Sequence, residues 1–188
     1  MKVWTLLLAG FAVGTVVVAE EDLQSKMINT ATNGTWYFIP DKPKAKHFKV
    51  DETQVPGGYA FRVKAHKGVN PWDVQASSPV AGAINEGDVV MLMYYARAEK
   101  PAEGGSKITA RIQLGAPPWT SVLETSADIS QEWQSFCAFR VASGSIGEKK
   151  GSVSIHLATA EQIIDLGPVM VFNFGQGYDQ AKLKFCTG

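Results

Sequence analysis

The chain has 188 residues and carries 18 basic against 18 acidic side chains, a formal net charge of zero. Balanced charge leaves no electrostatic footprint for nucleic acid or anionic lipid, which excludes partners of those classes. The length is one domain's worth, and 18 glycines and nine prolines without a long helical pattern point to a chain of strands and turns.

Residues 1–19 begin with Met1-Lys2 and run through an apolar stretch to Val17 and Ala19, small residues ahead of a cut. This predicts a secretory signal peptide, a single mature domain over residues 20–188, and no membrane association after cleavage. The alternative is an uncleaved anchor, but Gly10, Gly14 and Thr15 interrupt a run of borderline length for a membrane span. Export would bring Cys137 and Cys186 into an oxidising compartment, extracellular or periplasmic. A disulfide and two buried thiols both remain open at this point.

Lys26 to Asn33 reads as an entry strand, followed by the aromatic run Trp36-Tyr37-Phe38 and a polar loop over residues 41–46. Phe48 to Val50 is a short strand, and Pro56-Gly57-Gly58 is a turn. Tyr59 to Ala65 alternates, with Tyr59, Phe61, Val63 and Ala65 on one face. Next comes Asn70-Pro71-Trp72-Asp73-Val74-Gln75, read as strand, where an indole sits beside an amide and a carboxylate. A sugar ring asks for that pairing: its C–H faces stack on aromatic carbon and its hydroxyls need fixed donors and acceptors.

Asn85-Glu86-Gly87-Asp88 is a turn into Val89–Ala98, a strand apolar on both faces and therefore central to its sheet. Lys107 to Leu114 alternates most cleanly, with Ile108, Ala110, Ile112 and Leu114 on the core side and Thr109, Arg111 and Gln113 opposite. A polar sheet face is often plain solvated exterior. Here it is followed by Gly115-Ala116-Pro117-Pro118-Trp119, which sets a second indole on a Pro-bounded loop where burial is hard to arrange. Trp133 precedes Phe136 and Phe139 and reads as a core or strand-edge plug. Gly151 to Leu157 repeats the alternation, with Val153, Ile155 and Leu157 inward, and Ser152, Ser154 and His156 on the polar side. A neutral imidazole there offers one donor and one acceptor. Val169 to Phe174 is a last long buried strand.

Taken together, Asn70 to Gln75, Glu86-Gly87-Asp88 before a hydrophobic strand, Ala96-Arg97-Ala98, Glu132-Trp133-Gln134, and Leu166-Gly167-Pro168 through Asn173-Phe174-Gly175 resemble the carbohydrate-binding modules of families 4, 9 and 22. The resemblance spans roughly residues 26–180. It implies an all-β jelly-roll sandwich of two antiparallel sheets with a concave ligand-binding face. It also implies a non-catalytic role: gripping a β-linked chain of xylan or glucan, cellulose included. The ligand contacts it implies are Asn70, Trp72 and Gln75 from the first stretch, Trp119 as a second stacking platform, and Arg111, Gln113 and His156 lining the floor. Strict alternation does not put Trp72 and Gln75 on one face, so a bulge or a rim position is expected.

Such modules need no cofactor for function but often hold structural calcium, for which Asp51, Glu52 and Asp165 could supply oxygen ligands. They also commonly accompany glycoside hydrolases, so association with such enzymes is an implied partnership. Two other readings compete. One is a polysaccharide lyase of alginate-lyase type, using Arg111, His156 and Tyr178 to neutralise a uronate and remove its neighbouring proton. The other is a protein-interaction sandwich, which would want a contiguous apolar patch rather than indoles separated by polar groups.

Overall fold

The computed structural model describes residues 23–30, 36–39 and 45–186, with residues 45–48 described as backbone only. The leader expected over residues 1–19 lies outside the described residues. The strands are β1 (Tyr37–Ile39), β2 (Ala45–Asp51), β3 (Tyr59–Ala65), β4 (Gln75–Val80), β5 (Asp88–Lys100), β6 (Ser106–Leu114), β7 (Ser121–Ile129), β8 (Gln134–Val141), β9 (Gly151–His156) and β10 (Gln162–Gln176). They form two five-stranded antiparallel sheets in the orders β1-β4-β9-β6-β7 and β2-β3-β10-β5-β8. The architecture is the expected all-β jelly-roll sandwich.

Period-two alternation decides what lies between the sheets. Ile108, Ala110 and Ile112 of β6 and Val153 and Ile155 of β9 are fully buried against Val90, Leu92 and Ala96 of β5 and Ile164, Leu166, Val169 and Val171 of β10. β5 lies between β10 and β8 and buries residues on both faces. Its outward Val89 and Met91 join Phe172 and Phe174 in a second apolar cluster, with Leu23 and Met27 from the N-terminal side and Tyr178, Leu183 and Cys186 from the C-terminal side. Cys137 of β8 and Cys186 are joined in a disulfide, Cα to Cα 5.1 Å, which settles the choice that the sequence left open and ties the tail over this cluster.

Of the entry strand expected over Lys26–Asn33, residues 26–30 are described and form no strand. Residues 23–26 form a helical turn, Met27 makes a single bridge to Phe172, and residues 31–35 lie outside the described residues. Ile28 N donates to Val171 O at 2.8 Å, and a side chain adds to that backbone pairing. Asn29 Nδ2 donates to Val169 O at 3.0 Å, and its Oδ1 accepts from Val171 N at 2.7 Å, so one buried amide satisfies two backbone groups of β10. Nearby, the β10 register shifts between Leu166 and Val169, and Trp36 Nε1 donates to Gly167 O at 2.9 Å. Only glycine fits at that bulge, because a Cβ on residue 167 would lie 2.9 Å from Tyr95 Cβ.

Candidate functional site

The outward face of the first sheet is polar along three neighbouring strands. Register sets Gln75 of β4 opposite His156 of β9, and His156 opposite Thr109 of β6. One step along, Ser77, Ser154 and Arg111 align, and beyond them Pro79, Ser152 and Gln113. Directly opposed residues in antiparallel pairs point the same way, so these side chains form one floor. The middle strand β9 contributes the short ones, and long neighbours on both sides bury them: Ser152, Ser154 and His156 are all at most 5% exposed.

A cleft of about 340 Å³ lies on this floor, lined by Trp72, Gln75, Arg111, Gln113, Pro118, Trp119 and His156. Six of the seven residues singled out as ligand contacts therefore line one space. The seventh, Asn70, does not. Its side chain lies 3.4 Å from Asp73 Oδ1, while Asp73 Oδ2 accepts from Val69 N at 2.9 Å and Asn70 N at 3.2 Å. Asn70 is committed to shaping the turn that carries Trp72.

That turn corrects the local reading of Trp72. The residue is not on a strand but on a single 3-10 turn, Pro71–Asp73, just ahead of β4. Pro71 starts it with its preset φ, and Asp73 N closes it on Asn70 O at 3.1 Å. Backbone bonds from Ala158 N to Pro71 O at 3.0 Å and from Leu157 N to Val74 O at 2.8 Å fasten the turn to the end of β9. The indole consequently meets His156 edge to face, centroids 6.0 Å apart, although Trp72 and Gln75 are out of phase. Trp72 is 53% exposed.

Trp119 stands at the other end of the floor, on the loop from β6 to β7. Ala116, Pro117, cis Pro118 and Trp119 form a tight turn in which Trp119 N donates to Ala116 O at 3.0 Å. Trp119 itself takes φ 58°, a left-handed conformation unusual for a large side chain, and its ring is 46% exposed. The two indoles thus border one polar floor from opposite strand ends.

The floor's polar groups are differently committed. Gln75 Oε1 accepts a short hydrogen bond from Ser154 Oγ. Gln113 is 5% exposed and its Oε1 accepts no hydrogen bond from the described residues. Arg111 Nε lies 2.9 Å from Glu124 Oε2, an ion pair whose N–H does not line up as a hydrogen bond, and Glu124 is more than half exposed. Burial first, and the Arg111 charge second, push the His156 pKa down to about 4. The imidazole is therefore neutral at ordinary pH.

This depression has a stability consequence. Unfolded, His156 would titrate near its ordinary value, so between about pH 6.5 and 4 the unfolded chain binds the extra proton. The stability contribution is complete above pH 6.5 and is lost as pH falls toward 4, by about 2 kcal/mol once screening by water in the open cleft is allowed for. Urea unfolding of wild type and His156→Gln at pH 7, 5.5 and 4 is expected to show wild type losing more than the variant by that amount. Parallel pH curves would refute it.

No protein-family model and no curated protein matches the sequence. Solved structures do. A family 4 carbohydrate-binding module superposes with TM-score 0.57 at 19% identity over 74% of this chain and 95% of that one. The family 22 xylan-binding domain of a Paenibacillus barcinonensis protein gives 0.53 at 10% identity over 79% and 91%. The fold is that of the family 4 and 22 carbohydrate-binding modules. A Clostridium thermocellum endo-1,4-β-D-xylanase 10B structure, with family 22 and GH10 modules and bound xylohexaose, gives 0.55 at 12% identity over 82% of this chain and 29% of that one.

Within this module fold two of the three expected calcium ligands, Glu52 and Asp165, are engaged by arginine, while Asp51 lies exposed at the end of β2. Asp165 is fully buried on the outward side of the second sheet, where its carboxylate accepts from Arg62 Nε at 2.7 Å and Nη2 at 2.9 Å and from Arg97 Nε at 2.9 Å. Glu52 pairs with Arg97 at 3.3 Å. Two guanidiniums repel a divalent cation, and among the described residues no cluster of three potential ligands forms. Asp51, Glu52 and Asp165 are thus not a metal centre. Trp133 belongs to this same cluster, with the Arg97 guanidinium 5.1 Å from its ring centroid.

The residues proposed for a lyase do not converge either. Arg111 and His156 share the cleft, but Tyr178 packs on Phe174, centroids 4.5 Å apart, in the apolar cluster of the other sheet. The sequence reading missed β7, whose Glu124 pairs with Arg111, and Pro118, which lines the cleft beside Trp119. It also missed Tyr37 and Ile39, both exposed on β1 opposite Ser77 and Gln75. Their signal was two large side chains two apart in Tyr37-Phe38-Ile39. Among the described residues, no helix is long and apolar enough to cross a membrane.

Proposed function

We propose that this protein is a secreted, non-catalytic binder of β-linked polysaccharide, holding a xylan or glucan chain segment in the cleft between Trp72 and Trp119. The supporting observation is the pairing of two half-exposed indoles with a floor of Gln75, Arg111, Gln113 and His156. The rings supply apolar faces for sugar C–H surfaces. The amides, guanidinium and neutral imidazole supply donors and acceptors for hydroxyls, among them the free Gln113 Oε1. Two stacked rings at about 0.5–1.5 kcal/mol each beyond area burial, with several hydrogen bonds at about 1 kcal/mol net, correspond to micromolar affinity.

One module of this fold in the structural comparison is described as xylan-binding, and another is joined to GH10 in a structure complexed with xylohexaose. The leader-like residues 1–19 and the disulfide support an extracellular or periplasmic site of action, where glycoside hydrolases would be natural companions. Titration calorimetry with xylohexaose and cellohexaose, followed by mass spectrometry of the recovered sugar, tests the proposal. Saturable micromolar binding of an oligomer returned intact is the expected outcome, and the oligomer that binds names the backbone. Shortened, unsaturated products would replace it with a lyase. Absence of binding to both oligomers would overturn it.

A further inference from the structure

The cleft carries one formal charge. Among its lining residues only Arg111 is ionised at neutral pH, since no carboxylate lines the space and His156 is a neutral imidazole there. The Arg111 side chain is 21% exposed, so its charge is largely removed from bulk water. Its partner Glu124 is 56% exposed, lies outside the lining, and engages Nε without a linear hydrogen bond. An ion pair whose acid is that well solvated compensates weakly. The neighbours across the floor, Ser154 on β9 and Thr109 and Gln113 on β6, are uncharged. A guanidinium presents its donors in a planar fork, and with Nε turned toward Glu124 the two terminal nitrogens are left to meet a carboxylate in the bidentate geometry that arginine favours. Neutral sugar hydroxyls would use these donors but leave the charge uncompensated.

Building on the polysaccharide reading above, we infer that the cleft selects a chain bearing a uronic acid, with the carboxylate seated on Arg111 between the two indoles. One cation fits one carboxylate. The geometry therefore favours a neutral backbone carrying an isolated uronate over a polyuronate, which would bring a charge on every sugar to a floor with a single compensating group.

Calorimetry at low and at high salt with three ligands separates the cases: xylohexaose, a xylo-oligosaccharide of the same length carrying one glucuronic acid branch, and an oligogalacturonate. The branched acid is expected to bind about tenfold more tightly than the neutral oligomer at low salt, with the advantage shrinking as salt rises. Glu124→Gln, which removes the competing carboxylate without touching the lining, is expected to widen the ratio severalfold. Arg111→Gln is expected to bring the ratio to about one. A wild-type ratio of one or below with the neutral oligomer still bound overturns the inference while leaving the polysaccharide reading in place. Preference for the oligogalacturonate overturns the single-uronate assignment. Failure of all three ligands while cellohexaose still binds overturns the inference alone, and failure of cellohexaose as well removes both readings.

Discussion

Replacing Asp165 with alanine is expected to destabilise the protein by about 4 kcal/mol, read as a fall in the urea midpoint at pH 7. The carboxylate is fully buried and accepts three charge-assisted N–H contacts from Arg62 and Arg97. Removing it strands two guanidiniums side by side, each only about one-fifth exposed, with Glu99 and Glu52 as their remaining partners. Left-over buried charge, rather than the lost pair itself, sets the size of the effect. Asp165→Asn keeps the volume and removes only the charge, so it is expected to recover part of the loss. A change under about 1 kcal/mol in both variants would mean that water or Glu99 takes over the role. Added calcium is expected to leave the wild-type midpoint unmoved, because these carboxylates already answer to arginine.

Truncating the indoles is the corresponding test of function. Trp72→Ala and Trp119→Ala are each expected to weaken oligosaccharide binding about tenfold or more, and the double variant to leave no measurable binding by calorimetry. Neither ring is part of the core: Trp72 is 53% and Trp119 46% exposed, so the thermal midpoint of each single variant is expected to stay close to wild type. Trp36 is the contrasting control. It is 7% exposed and donates Nε1 to Gly167 O, so Trp36→Ala is expected to unfold the domain instead of selectively losing ligand. Unchanged affinity in both Trp72→Ala and Trp119→Ala would move the binding surface elsewhere on the sandwich.

Only part of this contrast was legible beforehand. Trp119 stood out because the flanking prolines make burial difficult, and Trp133 was read as a plug from the phenylalanines that follow it. Trp72 is marked in the sequence by its neighbours Asn70 and Gln75, yet it stands on a 3-10 turn and not on the expected strand. A proline at the first position and an aspartate at the third are signs of a short helical turn as much as of a strand start, and the turn decided which way the ring faces. Asn70, chosen for its amide, was claimed by that same turn.

The sequence alone determined which side chains of β6 and β9 point inward and which do not, because alternation is a local steric property of an extended chain and needs no knowledge of neighbours. It therefore carried the all-β class, the polar rows of Arg111, Gln113 and His156, and the two cysteines. Which rows lie side by side was decided by the tertiary structure. β9 joins β4 to β6 only after the chain has crossed between sheets, and the Gln75 to Ser154 hydrogen bond links residues 79 positions apart. The same holds for Asp165, whose carboxylate looked available for a cation until folding brought Arg62 and Arg97 against it from sequence separations of 103 and 68. Pairing across such distances is chosen by packing the whole core at once, and no local pattern encodes it.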